Sequence, residues 1–177
     1  MKKKSLSVTK KTLNFYLSKL NDPQVQRLYK VFANNLDSLK ICSQKIMIGV
    51  SGGADSLSLL FFSMCYSLKN NIKLYPVIID HKLRKESTNE AKNLKFKLEK
   101  NFKINCKILS KRISKIDNNI QSYARDLRYD LFLKACNKHK IDYLLLGHHK
   151  DDLIENFFIR LLRGSGLKGL VSFNKNL

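Results

Sequence analysis

The sequence lacks the features of exported, membrane-spanning or metal-stapled proteins. No apolar run approaches the roughly 18 to 20 residues that a membrane-spanning helix needs. The lysines at positions 2–4 are not followed by the continuous apolar segment of a signal peptide. The cysteines are scattered singly with no C-x-x-C pair, which excludes a zinc knuckle and a local redox pair; they are Cys42, Cys65, Cys106 and Cys136. We therefore expect a cytoplasmic protein without a membrane segment, with most cysteines buried as small hydrophobic residues.

Acidic residues are also scarce. The chain of 177 residues has 14 Asp and Glu against 34 Lys and Arg, a formal net charge of +20. Such an excess is the electrostatic signature of a phosphate-rich partner, and nucleic acid is the first candidate. An AT-rich coding sequence would raise the lysine content without selection for binding, so the total charge leaves both interpretations open.

Proline and glycine are few, at 2 and 7 residues, and no Pro/Gly-rich linker divides the chain. The length and the 44% hydrophobic content suit one domain with a real core. We expect a basic leader and an accessory helix over residues 1–40, and the main domain over residues 41–177. Asp22 and Pro23 are a plausible cap and first position of that helix. Its apolar residues at helical spacing are Val25, Leu28, Val31, Phe32 and Leu36.

From residue 45 onward, short β-type apolar runs alternate with amphipathic helical stretches. This alternation predicts an α/β fold. We expect a doubly wound, mostly parallel sheet of Rossmann-like type with helices on both faces. Ser87 or Thr88, followed by Glu90, predicts a capping pair at one helix start. The predicted strands are 45–50, 73–79, 103–108 and 142–146, and the predicted helices are 55–69, 87–101, 119–139 and 151–163.

The sharpest motif is a glycine turn between a buried strand and an apolar helix. Its members are Ser51, Gly52, Gly53, Ala54, Asp55 and Ser56. The glycines let the backbone approach a phosphate, the two serine hydroxyls add donors, and the N–H groups at the helix start favour an anion. A turn that uses glycine only for its geometry is the alternative, but the whole hexapeptide favours nucleotide binding. No G-K-[ST] follows, so the loop is not a Walker A loop. It is not a dinucleotide fingerprint either.

The hexapeptide S-G-G-A-D-S resembles the S-G-G-x-D-S signature of the PP-loop ATP pyrophosphatases, which cleave ATP between the α- and β-phosphates and adenylate their substrate. The resemblance implies that this loop holds the departing pyrophosphate. It also implies that Asp55 acts through Mg²⁺ or by orienting the loop.

Four more segments resemble the tRNA(Ile)-lysidine synthetases within that superfamily. D-H-K-L-R at 80–84 is similar to the family's D-H-G-L-R, with Lys82 in place of glycine. A-R-D-L-R-Y at 124–129, H-H-K-D-D-L-I-E at 148–155 and R-L-L-R-G-S-G-L-K-G-L at 160–170 are similar to further family motifs. The five segments occur in the family's order over about residues 45–170, and the chain is identified as a member on that basis.

The resemblance implies a set of site residues. Those expected at the nucleotide, besides the loop, are Asp80 and His81. Those expected to be catalytic are Asp55, Arg128, Asp152 and Glu155, with Mg²⁺ held by Asp55 and Asp152. Those expected at the substrate or RNA are Arg125, His148, His149, Arg163 and Lys168.

The spacing of two carboxylates is informative on its own. Asp152 and Glu155 share one face of a predicted helix, where they can hold Mg²⁺ or take a proton from an amine. Asp151 and Glu155 can instead merely complement the helix dipole. Zinc is the other rival, but the residues lack the H-E-x-x-H spacing.

The family resemblance implies a ligase that joins free L-lysine to carbon 2 of the wobble cytidine in tRNA(Ile) with a CAU anticodon, converting ATP to AMP and pyrophosphate. A tRNA thiolase is the nearest rival, but thiolases rely on paired cysteines or an iron–sulfur cluster. A noncatalytic remnant that binds ATP or RNA is another. Family members continue well beyond the equivalent of residue 177, so we expect a fragment, a decaying gene product, or one half of a split gene whose C-terminal half is encoded separately.

Overall fold

The computed structural model describes residues 16–39, 41, 44–111 and 120–148. Helices and strands alternate through them, which confirms the predicted α/β class. The elements are α1 (Pro23–Ser38), β1 (Lys45–Gly49), α2 (Ala54–Asn70), β2 (Lys73–Asp80), α3 (Ser87–Phe102), β3 (Lys107–Ser110), α4 (Ile120–His139) and β4 (Tyr143–Leu146). The helix predicted over 151–163 lies outside the described residues. None of the described helices has the length and apolar character to cross a membrane.

The four strands form one parallel sheet in the order β3-β2-β1-β4. The chain winds from β1 outward to β3 and then returns to place β4 on the other side of β1. Strand order therefore reverses between β1 and β4. In open sheets of this kind, ligands bind beyond the carboxyl ends of the strands near such a reversal.

Alternate residues of β1 enter two hydrophobic cores on opposite faces of the sheet. Ile46 and Ile48 are fully buried in a core shared with α1, α2 and α3. Met47 lies in a second core with Phe132 and Cys136 of α4. This division follows from the two-residue period of a strand, and it confirms the prediction of helices on both faces.

The accessory helix α1 begins as predicted. The Asp22 carboxylate accepts hydrogen bonds from the backbone N–H groups of Gln24 at 2.9 Å and Val25 at 3.0 Å, and Pro23 follows as the first residue. The predicted apolar face was partly wrong, because Leu28 and Val31 are 60% and 57% exposed. The aromatic ring of Tyr29 takes the buried position instead.

The third strand begins later than predicted. Residues 103–106 were predicted as its first part, but β3 spans Lys107–Ser110. Lys103 adopts a left-handed conformation, with a φ of 54°, and this residue ends α3 and turns the chain. Ile104 packs against the core from this turn rather than from a strand.

Three of the four cysteines are buried hydrophobic residues, as predicted. Cys65, Cys106 and Cys136 are each buried without a disulfide. Burial raises the pKa of the Cys65 thiol to about 11 and that of Cys106 to about 12, so neither is a reactive thiolate at neutral pH. Cys42 lies outside the described residues.

The chain divides into two units, Met1–Leu146 and Gly147–Leu177. The first contains every helix and strand given above. In the second, Gly147 and His148 are the described residues. The domain boundary predicted at residues 40 and 41 stays a prediction.

Candidate nucleotide-binding site

The glycine loop 51–56 lies at the carboxyl end of the central strand. After β1 ends, the Val50 N–H still donates to the Val77 carbonyl at 2.8 Å, which anchors the start of the loop to β2. Helix α2 then begins at Ala54, within the motif itself. Residues 51–55 are all exposed. The loop is therefore held firmly at both ends and open to a ligand between them.

The buried hydroxyl of Ser56 organises this loop. Its Oγ donates to the Gly53 carbonyl at 2.9 Å. The same oxygen accepts from the Ser51 N–H at 3.2 Å, the Gly52 N–H at 3.1 Å and the Ser51 hydroxyl at 3.1 Å. A hydroxyl has one hydrogen and two acceptor lone pairs, so the three donors compete for two lone pairs and the oxygen has no capacity left for a ligand. Ser56 thus shapes the loop, whereas exposed Ser51 remains able to turn towards a phosphate.

Gly52 supplies the backbone conformation that the turn requires. Its φ is +92°, a region that residues with a side chain rarely adopt. A Cβ built there would also lie 3.2 Å from Leu94 Cδ2 of α3. The adjacent Gly53 differs, since its φ is −71° and its nearest contact for a Cβ is an ordinary 3.7 Å.

The two glycines provide a matched pair of substitutions. We expect Gly52→Ala to lower the free energy of unfolding by about 1 to 3 kcal/mol, the usual cost of a strained backbone conformation. Gly53→Ala should lower it by less, about 0.5 to 1 kcal/mol, because alanine accepts that φ but is a poorer N-cap than glycine. Urea unfolding of the two variants measures the difference. An equal loss of unfolding free energy in both variants would show that the turn does not require a positive φ at Gly52.

The first turn of α2 presents backbone N–H groups and a carboxylate at the loop. Gly53 is the N-cap, and no side chain caps this helix end. The N–H groups of the first turn and the helix dipole favour an anion at such a terminus. Asp55 lies in the same turn and is exposed. The arrangement suits a phosphate whose charge is shared with a cation.

Asp80, at the carboxyl end of the neighbouring strand β2, is a buried carboxylate. It accepts hydrogen bonds from the Lys82 N–H at 3.0 Å, the Ser87 hydroxyl at 2.9 Å and the Thr88 hydroxyl at 2.7 Å. The prediction that Ser87 or Thr88 caps α3 was therefore wrong. The N-cap is Glu86, without a side-chain hydrogen bond, because Asp80 takes both hydroxyls.

Glu90, the other half of the predicted capping pair, also has a different partner. Its carboxylate lies 3.3 Å from the Arg84 guanidinium. Both side chains are largely exposed, so this ion pair contributes little to stability. The loop between β2 and α3 is instead held by the hydrogen bonds that Asp80 accepts.

Burial alone would raise the pKa of the Asp80 carboxyl. The hydrogen bonds from Thr88, Lys82 and Ser87, with the Lys82 charge, outweigh burial and place the pKa below its ordinary value. Because the folded-state pKa is below that of the unfolded chain, the ionised group stabilises the fold above the usual Asp range. That contribution is lost as the pH falls through the folded-state pKa.

We expect Asp80→Asn to lower the free energy of unfolding by about 1 to 3 kcal/mol near neutral pH, since an amide cannot accept on its nitrogen. The difference from the wild type should shrink as the pH falls below the usual Asp range, where the wild-type carboxyl is also neutral. Urea unfolding of both proteins over this pH range measures the difference, with exposed Asp142→Asn as the control. A difference that stays constant with pH would contradict the role of the ionised carboxylate.

His81 and Arg128, predicted from separate motifs, influence each other in the structure. Burial lowers the pKa of the His81 imidazole and the positive charge of Arg128 lowers it further, whereas Asp80 acts in the opposite direction. Within the described part of the chain, the buried His81 Nδ1 has no hydrogen-bond partner. A neutral imidazole beside a guanidinium is suited to a polar, phosphorylated ligand.

Arg125 lies one helical turn before Arg128 on α4, and its guanidinium is 6.0 Å from the centre of the Tyr129 ring. The sequence had no signal for the effect of the Arg128 charge on His81 or for the partners of Asp80. Both depend on how the elements pack in the folded sheet.

The remaining predicted site residues belong to the second unit. His148 is exposed, and nothing further is described for its role. The others lie outside the described residues; they are His149, Asp152, Glu155, Arg163 and Lys168. Among the described residues, no three His, Cys, Asp or Glu side chains converge as a metal site. The pairing of Asp55 with Asp152 around Mg²⁺ therefore stays a prediction.

Comparison with known sequences finds tRNA(Ile)-lysidine synthases among the relatives of this chain. The tRNA(Ile)-lysidine synthase of Orientia tsutsugamushi (strain Boryong) is 45% identical over 130 residues, which are 73% of this chain and 29% of that protein. The tRNA(Ile)-lysidine synthase of Rickettsia rickettsii (strain Sheila Smith) is 39% identical over 153 residues, 84% of this chain and 31% of that protein. The chain thus spans about a third of the length of these curated relatives.

A solved structure shares the fold. It is the U34-tRNA thiolase NcsA from Methanococcus maripaludis with its 4Fe-4S cluster, with a TM-score of 0.63 over 75% of this chain and 48% of that chain. The identity is 22%, so the likeness shows the fold alone. A family model described as a PP-loop domain matches residues 21–177, which include the whole loop and sheet built above. The chain belongs to this PP-loop domain family.

Proposed function

We propose that this chain is the ATP-binding catalytic domain of a tRNA(Ile)-lysidine synthetase. The observation that carries the proposal is the geometry of the loop 51–56, in which a buried serine holds an exposed glycine turn at an uncapped helix start. Such a loop binds a phosphate chain through the N–H groups of the uncapped helix start, since those of Ser51 and Gly52 donate to Ser56. The relatives, which are tRNA(Ile)-lysidine synthases, supply the substrate class.

The reaction has two displacements. The wobble cytidine of a CAU-anticodon tRNA(Ile) first attacks the α-phosphorus of ATP, and pyrophosphate leaves. The ε-amine of free L-lysine then attacks carbon 2 of the adenylated base, AMP leaves, and the amine gives up its proton to a base. The reaction therefore needs a cradle for pyrophosphate, positive charge at the α-phosphate and a group that accepts a proton.

The described residues meet the first two needs. The loop 51–56 and the start of α2 hold the pyrophosphate part of ATP, and the loop that begins at Asp80 and His81 borders the nucleotide. Arg128, whose charge already acts on His81, stabilises negative charge on the α-phosphate. Arg125 assists on the same helix. Asp80 positions its loop, because its carboxylate is engaged by three neighbours.

The other roles fall on residues outside the described part or in the second unit. Asp152 and Glu155 hold Mg²⁺ or accept the proton of the attacking amine. Contacts to the RNA come from His148, His149, Arg163 and Lys168. These assignments rest on the sequence motifs, and we carry them as part of the proposal.

Magnesium suits the chemistry of one described side chain beside the loop. Asp55 is an exposed carboxylate in the first turn of α2, and hard oxygen donors are what Mg²⁺ binds. Asp80 is a poor candidate because its two oxygens already accept three hydrogen bonds. When bound, Mg²⁺ supplies charge neutralisation on the phosphates.

The thiolase alternative gains no support from the described cysteines. Cys65, Cys106 and Cys136 are buried, and burial raises the pKa of each thiol. Sulfur transfer needs accessible thiolates, and an iron–sulfur cluster needs a converging set. The shared fold of the thiolase does not separate the two activities, since one fold hosts many chemistries.

The test is the incorporation of labelled lysine into RNA. The protein is incubated with ATP, Mg²⁺, lysine and a tRNA(Ile) transcript with a CAU anticodon, and a second transcript carries another base at the wobble position. We expect label only in the first RNA. Binding of ATP or RNA without incorporation would contradict the synthetase and favour a noncatalytic remnant.

A further inference from the structure

A cluster of basic side chains lies at the edge of the sheet opposite the nucleotide loop. Lys45, Lys73 and Lys107 are the first residues of β1, β2 and β3. Lys45 and Lys73 are paired with each other at the amino ends of their strands. Lys107 is paired with Val77, four residues further along β2, and its side chain reaches His139. Helix α4 ends near this edge with Lys138 and His139. We call these five residues the amino-edge cluster.

Contacts to His139 show that the cluster converges. The Lys45 ammonium donates to the His139 carbonyl at 3.1 Å. The Lys107 ammonium lies 3.1 Å from His139 Nε2, a distance at which a neutral imidazole accepts its hydrogen bond. The His139 and Tyr75 ring centres are 5.2 Å apart, and the Lys73 ammonium lies 5.3 Å from the Tyr75 ring centre.

The electrostatics of the cluster are strongly one-sided. Burial lowers the pKa of His139, and the charges of Lys107, Lys138, Lys45 and Lys73 lower it further. Every charge that shifts this imidazole is positive. Lys73, Lys107 and Lys138 are exposed, and the ion pairs found among the described residues use other cations, namely Arg84, Lys95, Lys111 and Lys134. Asp142, beside the start of β4, is one negative charge against the four lysines of the cluster, so a large positive excess remains.

The contacts of Lys45 and Lys107 with His139 stabilise the end of α4, but four like charges gathered there also repel one another. A phosphate chain would relieve this repulsion by binding across them. An anionic membrane is a weaker match, because surface binding to lipid also uses apolar anchors. None of the exposed large hydrophobic side chains found among the described residues is a member of the cluster; they are Leu28, Val31, Leu39, Leu83, Phe96 and Leu133.

We propose that the amino-edge cluster binds the phosphate backbone of RNA, at a surface separate from the reacting nucleotide. The four steps from Lys45 to Gly49 place Lys45 and its partner Lys73 about 13 Å from the carboxyl end of β1, at about 3.3 Å per residue. The cluster therefore contacts a part of the RNA other than the wobble base. The choice of tRNA as the RNA rests on the proposed function, but the charge arrangement does not.

The test compares two triple variants that lose the same charge. The first is Lys73→Gln with Lys107→Gln and Lys138→Gln. The control is Lys30→Gln with Lys92→Gln and Lys97→Gln, three exposed lysines on α1 and α3. The dissociation constant for a tRNA(Ile) transcript is measured by fluorescence anisotropy at several salt concentrations.

We expect the first triple variant to bind the transcript about 10 to 100 times more weakly at low salt. The slope of log affinity against log salt should fall by about two, since each lost phosphate contact removes about 0.7 to 0.9. The control should keep the wild-type slope. A third variant with arginine at the three cluster positions should bind like the wild type, which separates lost charge from lost folding.

Equal losses in the two glutamine triples would overturn the proposal, as would wild-type binding by the first. Phosphatidylserine vesicles are the second probe: loss of vesicle binding with unchanged RNA binding also overturns it. Lysine incorporation keeps the two proposals distinct. If the cluster binds tRNA but no lysine is attached, the proposed function fails alone; if lysine is attached while the two triples behave alike, the cluster proposal fails alone.

Discussion

Replacing Asp55 with alanine is expected to lower tRNA-dependent pyrophosphate release by about 100- to 1,000-fold, the range seen when one electrostatic group is removed from a reaction centre. Asp55 is the exposed carboxylate in the first turn of α2, directly after the glycine turn. Without it, the phosphate chain loses the side chain that would hold Mg²⁺ beside the loop. Pyrophosphate release is measured at saturating tRNA by a coupled pyrophosphatase assay.

The matched control is Asp142→Ala, an exposed aspartate beside the start of β4 at the opposite edge of the sheet. It removes the same charge without touching the loop, so its rate at saturating tRNA should equal that of the wild type. Raising the Mg²⁺ concentration should recover part of the activity of Asp55→Ala. Wild-type rates in Asp55→Ala would remove this residue from the mechanism.

The second large effect is expected from Ser56→Ala. This change deletes a hydroxyl that engages the Ser51 N–H, the Gly52 N–H and the Gly53 carbonyl. Leaving buried polar groups without partners costs about 1 to 3 kcal/mol. If that cost appears as disorder of the loop, ATP affinity falls by about 10- to 100-fold, at tenfold for each 1.4 kcal/mol. Isothermal titration with a nonhydrolysable ATP analogue measures it.

Ser58→Ala is the control for this substitution. Ser58 is two residues further along α2 and is exposed. It has the same chemistry but no part in the loop network, so its affinity for the analogue should match the wild type. Equal affinity in Ser56→Ala and Ser58→Ala would show that the Ser56 hydroxyl is not what shapes the nucleotide loop.

The sequence predicted the loop and the sheet well because both depend on local patterns. The apolar run from Ile46 to Val50 is followed by Ser51, two glycines and an apolar helix, and this order alone specifies strand, turn and helix. The cap of α1 was predictable for the same reason, since Asp22 and Pro23 act on residues next to them.

Contacts between distant elements were not predictable in this way. Ser87 follows a loop and precedes a helix, so its sequence context favours an N-cap. In the fold, the Asp80 carboxylate at the end of β2 competes for that hydroxyl and takes it. A charged acceptor forms the stronger hydrogen bond, and only the packing of β2 beside α3 makes it available.

The buried face of α1 shows a second limit. Helical spacing placed Leu28 and Val31 on the apolar side, but the aromatic groups of α2 determine which side is covered. Tyr29 and Phe32 pack against Phe62, with ring centres 6.1 Å and 5.8 Å apart. Aromatic side chains bury more area than Leu or Val, so the helix turns that face towards the sheet.

The products of ATP test the central claim most directly, which is that loop 51–56 holds the pyrophosphate part of ATP during cleavage between the α- and β-phosphates. ATP labelled at the α-phosphate is incubated with the protein, lysine and the CAU-anticodon tRNA(Ile), and the labelled nucleotide is separated by thin-layer chromatography. We predict labelled AMP that forms only with this tRNA and disappears in Asp55→Ala. Labelled ADP in its place would contradict the account.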